Sequence, residues 1–209
     1  MSPPVPRGAW ARGGKRAADA ALVLAAAPLW VPLTAVLAGA VLLASGRPAF
    51  FAQPRVGRHG RVFTLLKLRT MSPRAAPPQG ARFASWTYAG DPRVTRIGRW
   101  LRRWRLDELP QLANVLAGQM SLVGPRPETP EVVAGLRERL PDYDHRSAVR
   151  PGLTGVCQVS DAYARFATWD EVARKLELDL GYVAAVSLRT DARVLARTLG
   201  VLARGQGVI

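Results

Sequence analysis

The sequence predicts an α+β chain, predominantly helical. A re-entrant membrane helix leads into a small globular domain with interfacial amphipathic helices and one short β-hairpin. Three observations predict this. Ala20 to Ser45 runs without a charge, with Pro28 and Pro32 inside it and basic residues on both flanks. Two short apolar runs follow from Phe50, separated by a turn containing Gly57 and Gly60. Beyond Arg93, apolar residues recur at helical spacing against arginine-rich faces. The expected division is a basic N-terminal segment over 1–19, a re-entrant helix over 20–46 broken at Pro28–Pro32, and a globular domain over 47–209.

The charge-free run admits several readings. A straight helix of that length, at ~1.5 Å per residue, would cross a bilayer. A signal peptide would have a shorter apolar region, about 7–15 residues. A buried helix of a soluble protein would normally carry polar residues along this length. Two features favour re-entry. Each proline removes a helical hydrogen bond and crowds the preceding turn. Arg7, Arg12, Lys15 and Arg16 precede the run, and Arg47, Arg55, Arg58 and Arg61 follow it. The positive-inside tendency asks both ends to stay on the cytoplasmic face, which one segment satisfies only by entering and leaving the same side.

From Phe50 the period changes. Phe50–Gln53 and Val62–Leu68 read as strands of a hairpin around Gly57-Arg58-His59-Gly60. Lys67 and Arg69 would share a strand face there. Residues 72–90 are rich in Pro, Ala and Gly and read as a long loop, with Trp86 and Tyr88 suited to interfacial anchoring or to local packing. Asp91-Pro92 is expected to open a helix, Asp as cap and Pro first. Its apolar face would hold Ile97, Trp100, Leu101 and Trp104. Asp107-Glu108-Leu109-Pro110 is expected to start another helix, ending at Gly118. A strand over Met120–Val123, a helix over Glu131–Leu140, a rigid turn over Arg150–Gly155 and a strand over Val156–Val159 follow. Thr168 to Glu171 is a capping box for the next helix. The last helix sets Arg189, Arg193 and Arg197 opposite Leu188, Leu195, Leu199 and Leu202. That profile fits a helix lying in the headgroup plane, or an ordinary surface helix.

Charge and composition bound the chemistry. The chain has 209 residues, with 30 Lys and Arg against 15 Asp and Glu, a formal charge of +15. Such an excess calls for a polyanionic partner: nucleic acid, an anionic membrane surface or a phosphorylated substrate. The single Cys157 excludes an internal disulfide framework. With only His59 and His145, catalysis must rest mainly on carboxylates and arginines. Arg102-Arg103-Trp104-Arg105-Leu106-Asp107-Glu108-Leu109-Pro110-Gln111 places two carboxylates beside an arginine cluster, and Gly124-Pro125-Arg126-Pro127 follows as a rigid turn. Acidic residues at a helix start are common in any protein. Here the neighbouring cations favour ionised carboxylates. An ionised Asp can attack phosphorus to form an acyl phosphate. An adjacent Glu can hold Mg²⁺, and arginine grips phosphate bidentately. These residue types suit phosphoryl transfer beside a membrane, and spacing alone leaves open which carboxylate attacks.

The chain resembles the bacterial sugar transferases, the small monotopic phosphoglycosyl transferases that begin lipid-linked glycan assembly. The resemblance covers nearly everything from Lys15 onward. It is carried by Lys15-Arg16-x-x-Asp19 and the Ala27-Pro28 break, then by Phe51-x-Gln53-x-Arg55-x-Gly57-x-x-Gly60-x-x-Phe63-x-x-x-Lys67-x-Arg69-Thr70-Met71. Asp91-x-Arg93-x-Thr95-x-x-Gly98, Leu101-Arg102-x-x-x-Leu106-Asp107-Glu108-Leu109-Pro110-Gln111, Asn114 to Pro127 and Arg150-Pro151-Gly152-x-Thr154-Gly155 continue it in order. The resemblance implies a catalytic domain with Asp107 as nucleophile and Glu108 as its partner on Mg²⁺. It implies Arg102 on phosphate and Pro125-Arg126-Pro127 on the nucleotide. Lys67, Arg69 and Arg150 are further candidates for phosphate or nucleotide contact, and Asp107 joins Glu108 as a candidate metal ligand. The implied reaction passes a sugar phosphate from a UDP-sugar to the aspartate, with release of UMP, and then to a polyprenol phosphate, usually undecaprenyl phosphate. The implied partners are those two substrates and bacterial membrane lipid, at the cytoplasmic face of the inner membrane, with no nucleic acid. Trp-rich helix faces would serve a homodimer or the membrane. Val159-Ser160-Asp161 departs from the Asn-Gly turn of many members. By the same resemblance the chain reads as a minimal catalytic unit, without the extra N-terminal helices of larger relatives. The competing class is a basic membrane-anchored binding protein, or an inactive scaffold of the same fold. Asp107 and Glu108 on the arginine-rich face count against it, since they would repel phosphate without a metal. The residues that select the sugar are expected in loops 72–90 and 156–166.

Overall fold

In a computed structural model of the chain, residues 8–72, 90–160 and 168–205 are described. The expectations for Trp86, Tyr88 and most of the two specificity loops fall outside them. A π-helical turn over Trp10–Gly14 runs into helix α1 (Lys15–Ala25). Helix α2 (Ala27–Ser45) follows after a break at Ala26, whose φ and ψ are −83° and −6°. The break therefore lies just ahead of Pro28, and α2 continues through Pro32. Physically, Pro28 falls in the first turn of α2, where no N–H donor is needed. The Ala26 carbonyl accepts from Leu29 and Trp30 N–H at 3.0 and 3.1 Å. The Trp30 indole N–H donates to Val23 O at 3.1 Å, and Thr34 Oγ1 donates to Trp30 O at 2.7 Å.

Helix α1 starts before the apolar run because its polar residues are anchored. Lys15 Nζ pairs with Asp191 at 2.7 Å, and Ser121 Oγ donates to Asp19 at 2.6 Å. Arg16 donates to Val115 O and Leu116 O at 2.6 and 2.7 Å. Helix α2 is long and apolar enough to cross a membrane, with mean hydropathy 2.0. One side, Leu37, Ala38 and Val41, packs on Ala49, Leu68 and Leu101. Leu29, Val36 and Leu43 on the rest of the helix are exposed.

Strands β1 (Phe50–Val56) and β2 (Val62–Leu68) form the expected hairpin, antiparallel, with Phe50 opposite Leu68 and Val56 opposite Val62. Helix α3 (Arg96–Arg103) begins later than Asp91-Pro92 predicted. Thr95 is its cap, accepting from Gly98 N–H at 3.0 Å, whereas Asp91 is engaged by Arg93 at 2.7 Å. A Cβ at Gly98 would sit 2.1 Å from Thr70 O, so only glycine lets α3 lie directly on the chain leaving β2. Leu101 is fully buried, but Trp100 and Trp104 of the expected apolar face are exposed.

The segment expected to start a helix at Asp107 is a 3-10 turn over Leu106–Glu108, and helix α4 (Gln111–Leu116) follows. Gly118, at φ 75°, ends it. Strand β3 (Ser121–Val123) pairs in parallel with β4 (Gly152–Thr154), Ser121 opposite Gly152 and Val123 opposite Thr154. The strand therefore lies inside the segment read as a turn, and Val156–Val159 is a turn instead. Helix α5 (Pro130–Arg137) is shorter than expected. A 3-10 stretch over Pro141–Ala148 leads to β4. Helix α6 (Trp169–Ala184) carries the capping box, and α7 (Leu188–Ala203) closes the described chain. Val132, Val133 and Leu136 of α5 pack with Tyr143, Val172 and Leu176. On α7, Val194 is buried, while Leu188 and Leu199 stand exposed beside the arginine stripe.

Candidate active site

The two carboxylates owe their position to one residue in an unusual conformation. Arg105 sits in the left-handed region at φ 53°, ψ 23°, between α3 and the 3-10 turn. Non-glycine residues held there store local strain, of the kind that clusters at functional sites. The reversal lets Glu108 N–H bond Arg105 O at 3.1 Å. Asp107 and Glu108 are turned inward, 6% and 7% exposed.

Two cations then converge on one oxygen. Lys67 Nζ and Arg126 Nη2 lie 3.1 and 2.8 Å from Glu108 Oε1. Lys67 is delivered by β2, whose register is held by Asn114 of α4. The Asn114 side chain accepts from Leu66 N–H at 3.1 Å and donates to Thr64 O at 2.8 Å, imitating a neighbouring strand. Arg126 is delivered by the Gly124–Pro127 turn. Gly124 N–H bonds Thr154 O at 2.8 Å, and Gly152 N–H bonds Pro125 O at 2.9 Å. Arg55 Nη1 donates to Pro127 O at 3.0 Å and Arg146 Nη2 to Arg126 O at 2.7 Å. Arg146 is in turn fixed by Asp179, at 3.0 Å from its Nε. Arg102, in the last turn of α3, donates from Nε to Thr70 Oγ1 at 2.9 Å and lies near enough to attract Asp107 electrostatically.

The electrostatics separate the two acids. Burial favours the neutral form of Glu108, but Arg126, Lys67 and Arg105 outweigh it and hold its pKa well below the usual carboxylate range. Asp107 goes the other way. Burial and the neighbouring Glu108 charge push its pKa up, and Lys67, Arg102 and Arg126 only partly offset them. The expectation that nearby cations favour ionisation therefore holds for Glu108 and is reversed for Asp107. Burial also lowers the Lys67 pKa, opposed by Glu108.

Asp107, Glu108, Lys67, Arg102 and Arg126 thus come together, with Pro125 and Pro127 framing Arg126. Arg69 and Arg150 are engaged elsewhere. Strand β2 ends at Leu68, so Arg69 leaves the alternation and donates to Ser45 O and Gly46 O at the end of α2. Arg150 Nε donates to Gly118 O at 2.9 Å, behind α4. Sequence reasoning gave no site role to the Arg105 conformation, to Asn114 as a surrogate strand, or to Arg146 and Asp179. Only the Gly-free turn between the two helical segments hinted at the first.

Among the described residues no group of three or more His, Cys, Asp or Glu side chains could hold a metal. The adjacent Asp107 and Glu108 remain. Mg²⁺ keeps several waters and takes one or two carboxylates together with substrate phosphates, and of this pair Glu108 already has one oxygen engaged by Lys67 and Arg126.

A model of the family described as bacterial sugar transferase matches residues 10–205. An undecaprenyl-phosphate glucose phosphotransferase of Komagataeibacter xylinus is 41% identical over 197 residues, covering 93% of this chain and 36% of that protein. A UDP-N-acetylgalactosamine-undecaprenyl-phosphate N-acetylgalactosaminephosphotransferase of Aeromonas hydrophila is 40% identical over 193 residues, 92% of this chain and 44% of its own. The chain therefore spans less than half the length of each of these two. The exopolysaccharide production protein PSS of Rhizobium leguminosarum bv. phaseoli is 36% identical over 197 residues, covering 92% of this chain and 97% of that protein.

Proposed function

The chain belongs to the bacterial sugar transferase family, and on that premise we propose that it transfers a sugar 1-phosphate from a UDP-sugar to a polyprenol phosphate. Undecaprenyl phosphate is the expected acceptor, and the aspartate carries a covalent intermediate. The observation that carries this reading is the pairing of a buried, high-pKa Asp107 with a Glu108 clamped by Lys67 and Arg126. The names of the Komagataeibacter and Aeromonas relatives support the substrate classes.

In the first step an Asp107 carboxylate oxygen attacks the sugar-side phosphorus of the diphosphate. A new carboxylate–phosphorus bond forms, and the bond from that phosphorus to the bridging oxygen breaks. UMP leaves with the bridging oxygen and its electron pair. In the second step a phosphate oxygen of the polyprenol phosphate attacks the same phosphorus, and Asp107 departs as the carboxylate. The product is a polyprenyl diphosphosugar. A poorly hydrated carboxylate is a stronger nucleophile than a solvated one, which gives the raised Asp107 pKa a purpose. Arg102 would offset charge on the phosphoryl group, and Glu108 would hold Arg126 and Lys67 toward the reacting centre. Asp107 and Glu108 would hold Mg²⁺, which when bound neutralises charge on the diphosphate.

The same reading puts the enzyme on the cytoplasmic face of the bacterial inner membrane, with α1 and α2 forming a re-entrant pair. The exposed apolar residues of α2, the internally hydrogen-bonded break at Ala26 and the basic flanks support it. Purified protein incubated with Mg²⁺, undecaprenyl phosphate and a panel of UDP-sugars should release UMP with at least one of them. Release with none would sink the transferase reading in favour of a binding protein.

A further inference from the structure

A second basic site lies away from the carboxylate pair. A cavity of 870 Å³ is walled by the start of α1, the Arg58-His59 turn and the segment leading to β4. Four arginines line it: Arg12, Arg16, Arg58 and Arg150. Lys15 lines it too, but is neutralised by Asp191 at 2.7 Å. Asp19 is the one carboxylate in the lining. It accepts from Ser121 Oγ at 2.6 Å, and burial raises its pKa.

Three of the four arginines are held by neutral partners. Arg150 Nε donates to Gly118 O at 2.9 Å, and Arg58 Nε donates to Ala148 O at 3.2 Å. Each bond uses only Nε and leaves the two Nη groups without a partner among the described residues. That fork geometry matches a phosphate bidentately. Arg16 spends both Nη groups on backbone carbonyls, which satisfies its donors but not its charge. The like charges also oppose one another. The Arg150 pKa is lowered by burial and then by Arg58 and Arg16. Asp19 offsets only part of this charge, and a concave basic cluster of this kind is completed by an anion.

We propose that this cavity binds a phosphate group, and that its occupant is the phosphate of an anionic lipid headgroup. The phosphate chemistry stands apart from the transferase reading; only the lipid source rests on the membrane placement proposed with it. The source follows from chain order. The helix that walls the cavity over Arg12–Ala20 runs directly into the charge-free segment, so the guanidiniums stand at its polar margin. That is the level of headgroups for any apolar segment that inserts. The volume exceeds what bare phosphate needs and leaves room for the group esterified to it.

The test uses the full chain in neutral detergent, with binding read by calorimetry against three probes: dihexanoyl phosphatidylglycerol, dihexanoyl phosphatidylcholine and glycerol 3-phosphate. Phosphatidylglycerol should bind at least tenfold more tightly than phosphatidylcholine. The double variant Arg12→Gln/Arg58→Gln, at two exposed positions, should lose that preference with its unfolding transition unmoved. Arg150→Lys, which keeps the charge but not the fork, should lose part of it. Asp107→Asn should leave binding unchanged, so the result is independent of whether the chain is a transferase. Glycerol 3-phosphate binding as tightly as the lipid, with the same loss in the double variant, would support the phosphate site and overturn the lipid as its source. Equal binding of the two lipids, or undiminished binding in the double variant, would overturn the site.

Discussion

Asp107 and Glu108 are adjacent in sequence and almost equally buried, yet their proton affinities are driven in opposite directions. The difference comes from partners rather than depth. Lys67 and Arg126 both close on Glu108 Oε1, which leaves Asp107 with more burial penalty than compensation. One carboxylate is thereby held as an anion, and the other is biased toward its neutral form.

Asp107→Asn should abolish both UMP release and labelled phosphosugar on the protein, with a loss on the order of 10³-fold or more. Full turnover in this variant, followed with radiolabelled UDP-sugar, would contradict the covalent role.

The same substitution should stabilise the fold. Asp107 has a raised folded pKa, so ionising it costs stability as pH rises from the ordinary carboxylate range through the raised value. The neutral amide avoids that cost. At neutral pH the variant should melt about 2–4 °C higher, for each kcal/mol regained in a chain of this size. The difference should shrink toward acid, where the wild-type carboxyl is protonated. Glu108 has the opposite sign. Its contribution is present above the ordinary carboxylate range and lost as pH falls through its depressed value. Glu108→Gln should therefore destabilise at neutral pH, in scanning calorimetry of the detergent-solubilised protein.

Glu108→Gln should also move the pH profile. Removing the neighbouring negative charge lowers the Asp107 pKa and frees Lys67 and Arg126 to act on it. The acid limb of the single-turnover rate should shift to lower pH even as the maximal rate falls. An unmoved limb would mean that the titrating group is not Asp107.

Arg146 should act through Arg126. It donates to the Arg126 carbonyl and is held by Asp179. Arg146→Met should lower kcat/KM on the order of tenfold, through misplacement of the Pro125–Pro127 turn. In a double-mutant cycle with Arg126→Ala the losses should not add, whereas general damage to the fold would add. Asp179→Ala leaves a buried guanidinium unpaired and should cost about 3–5 kcal/mol in denaturant unfolding.

Gly98→Ala should cost about 1–3 kcal/mol, because its Cβ meets Thr70 O and α3 must lift. Since Arg102 reaches Thr70 Oγ1 from that helix, its contact should be lost in the same step. UDP-sugar binding and thermal unfolding, measured together, read both effects.

Much of the site was legible from residue types in order. Asp107, Glu108, Arg102 and Arg126 could be named because carboxylates beside an arginine cluster suit phosphate handling and because their motifs, in order, resemble those of the bacterial sugar transferases. The division of labour between the acids was not legible, since it depends on which oxygen Lys67 and Arg126 reach across the fold. Arg69 was misleading for a local reason. Its spacing from Lys67 implies a shared face only while the strand lasts, and β2 ends between them. The parallel pairing of β3 with β4 leaves no periodicity in three-residue strands. It rests instead on Gly124 and Gly152, whose backbones approach too closely for any side chain, with 2.1 Å from a Gly152 Cβ to Gly124 N. Helix starts failed where a better cap lay nearby, as Thr95 did for Asp91. The sugar was not readable either, and the two transferase relatives named above carry different ones, glucose and N-acetylgalactosamine.

The Asn114 side chain has a second effect. A two-stranded ribbon has an open edge, and exposed edges recruit strands from other molecules. By occupying Leu66 N–H and Thr64 O, a single amide covers the edge of β2 next to Lys67. The same side chain thus covers that edge and fixes the strand that presents Lys67 to Glu108. Loss of Asn114 should appear as self-association of the protein as well as slower turnover.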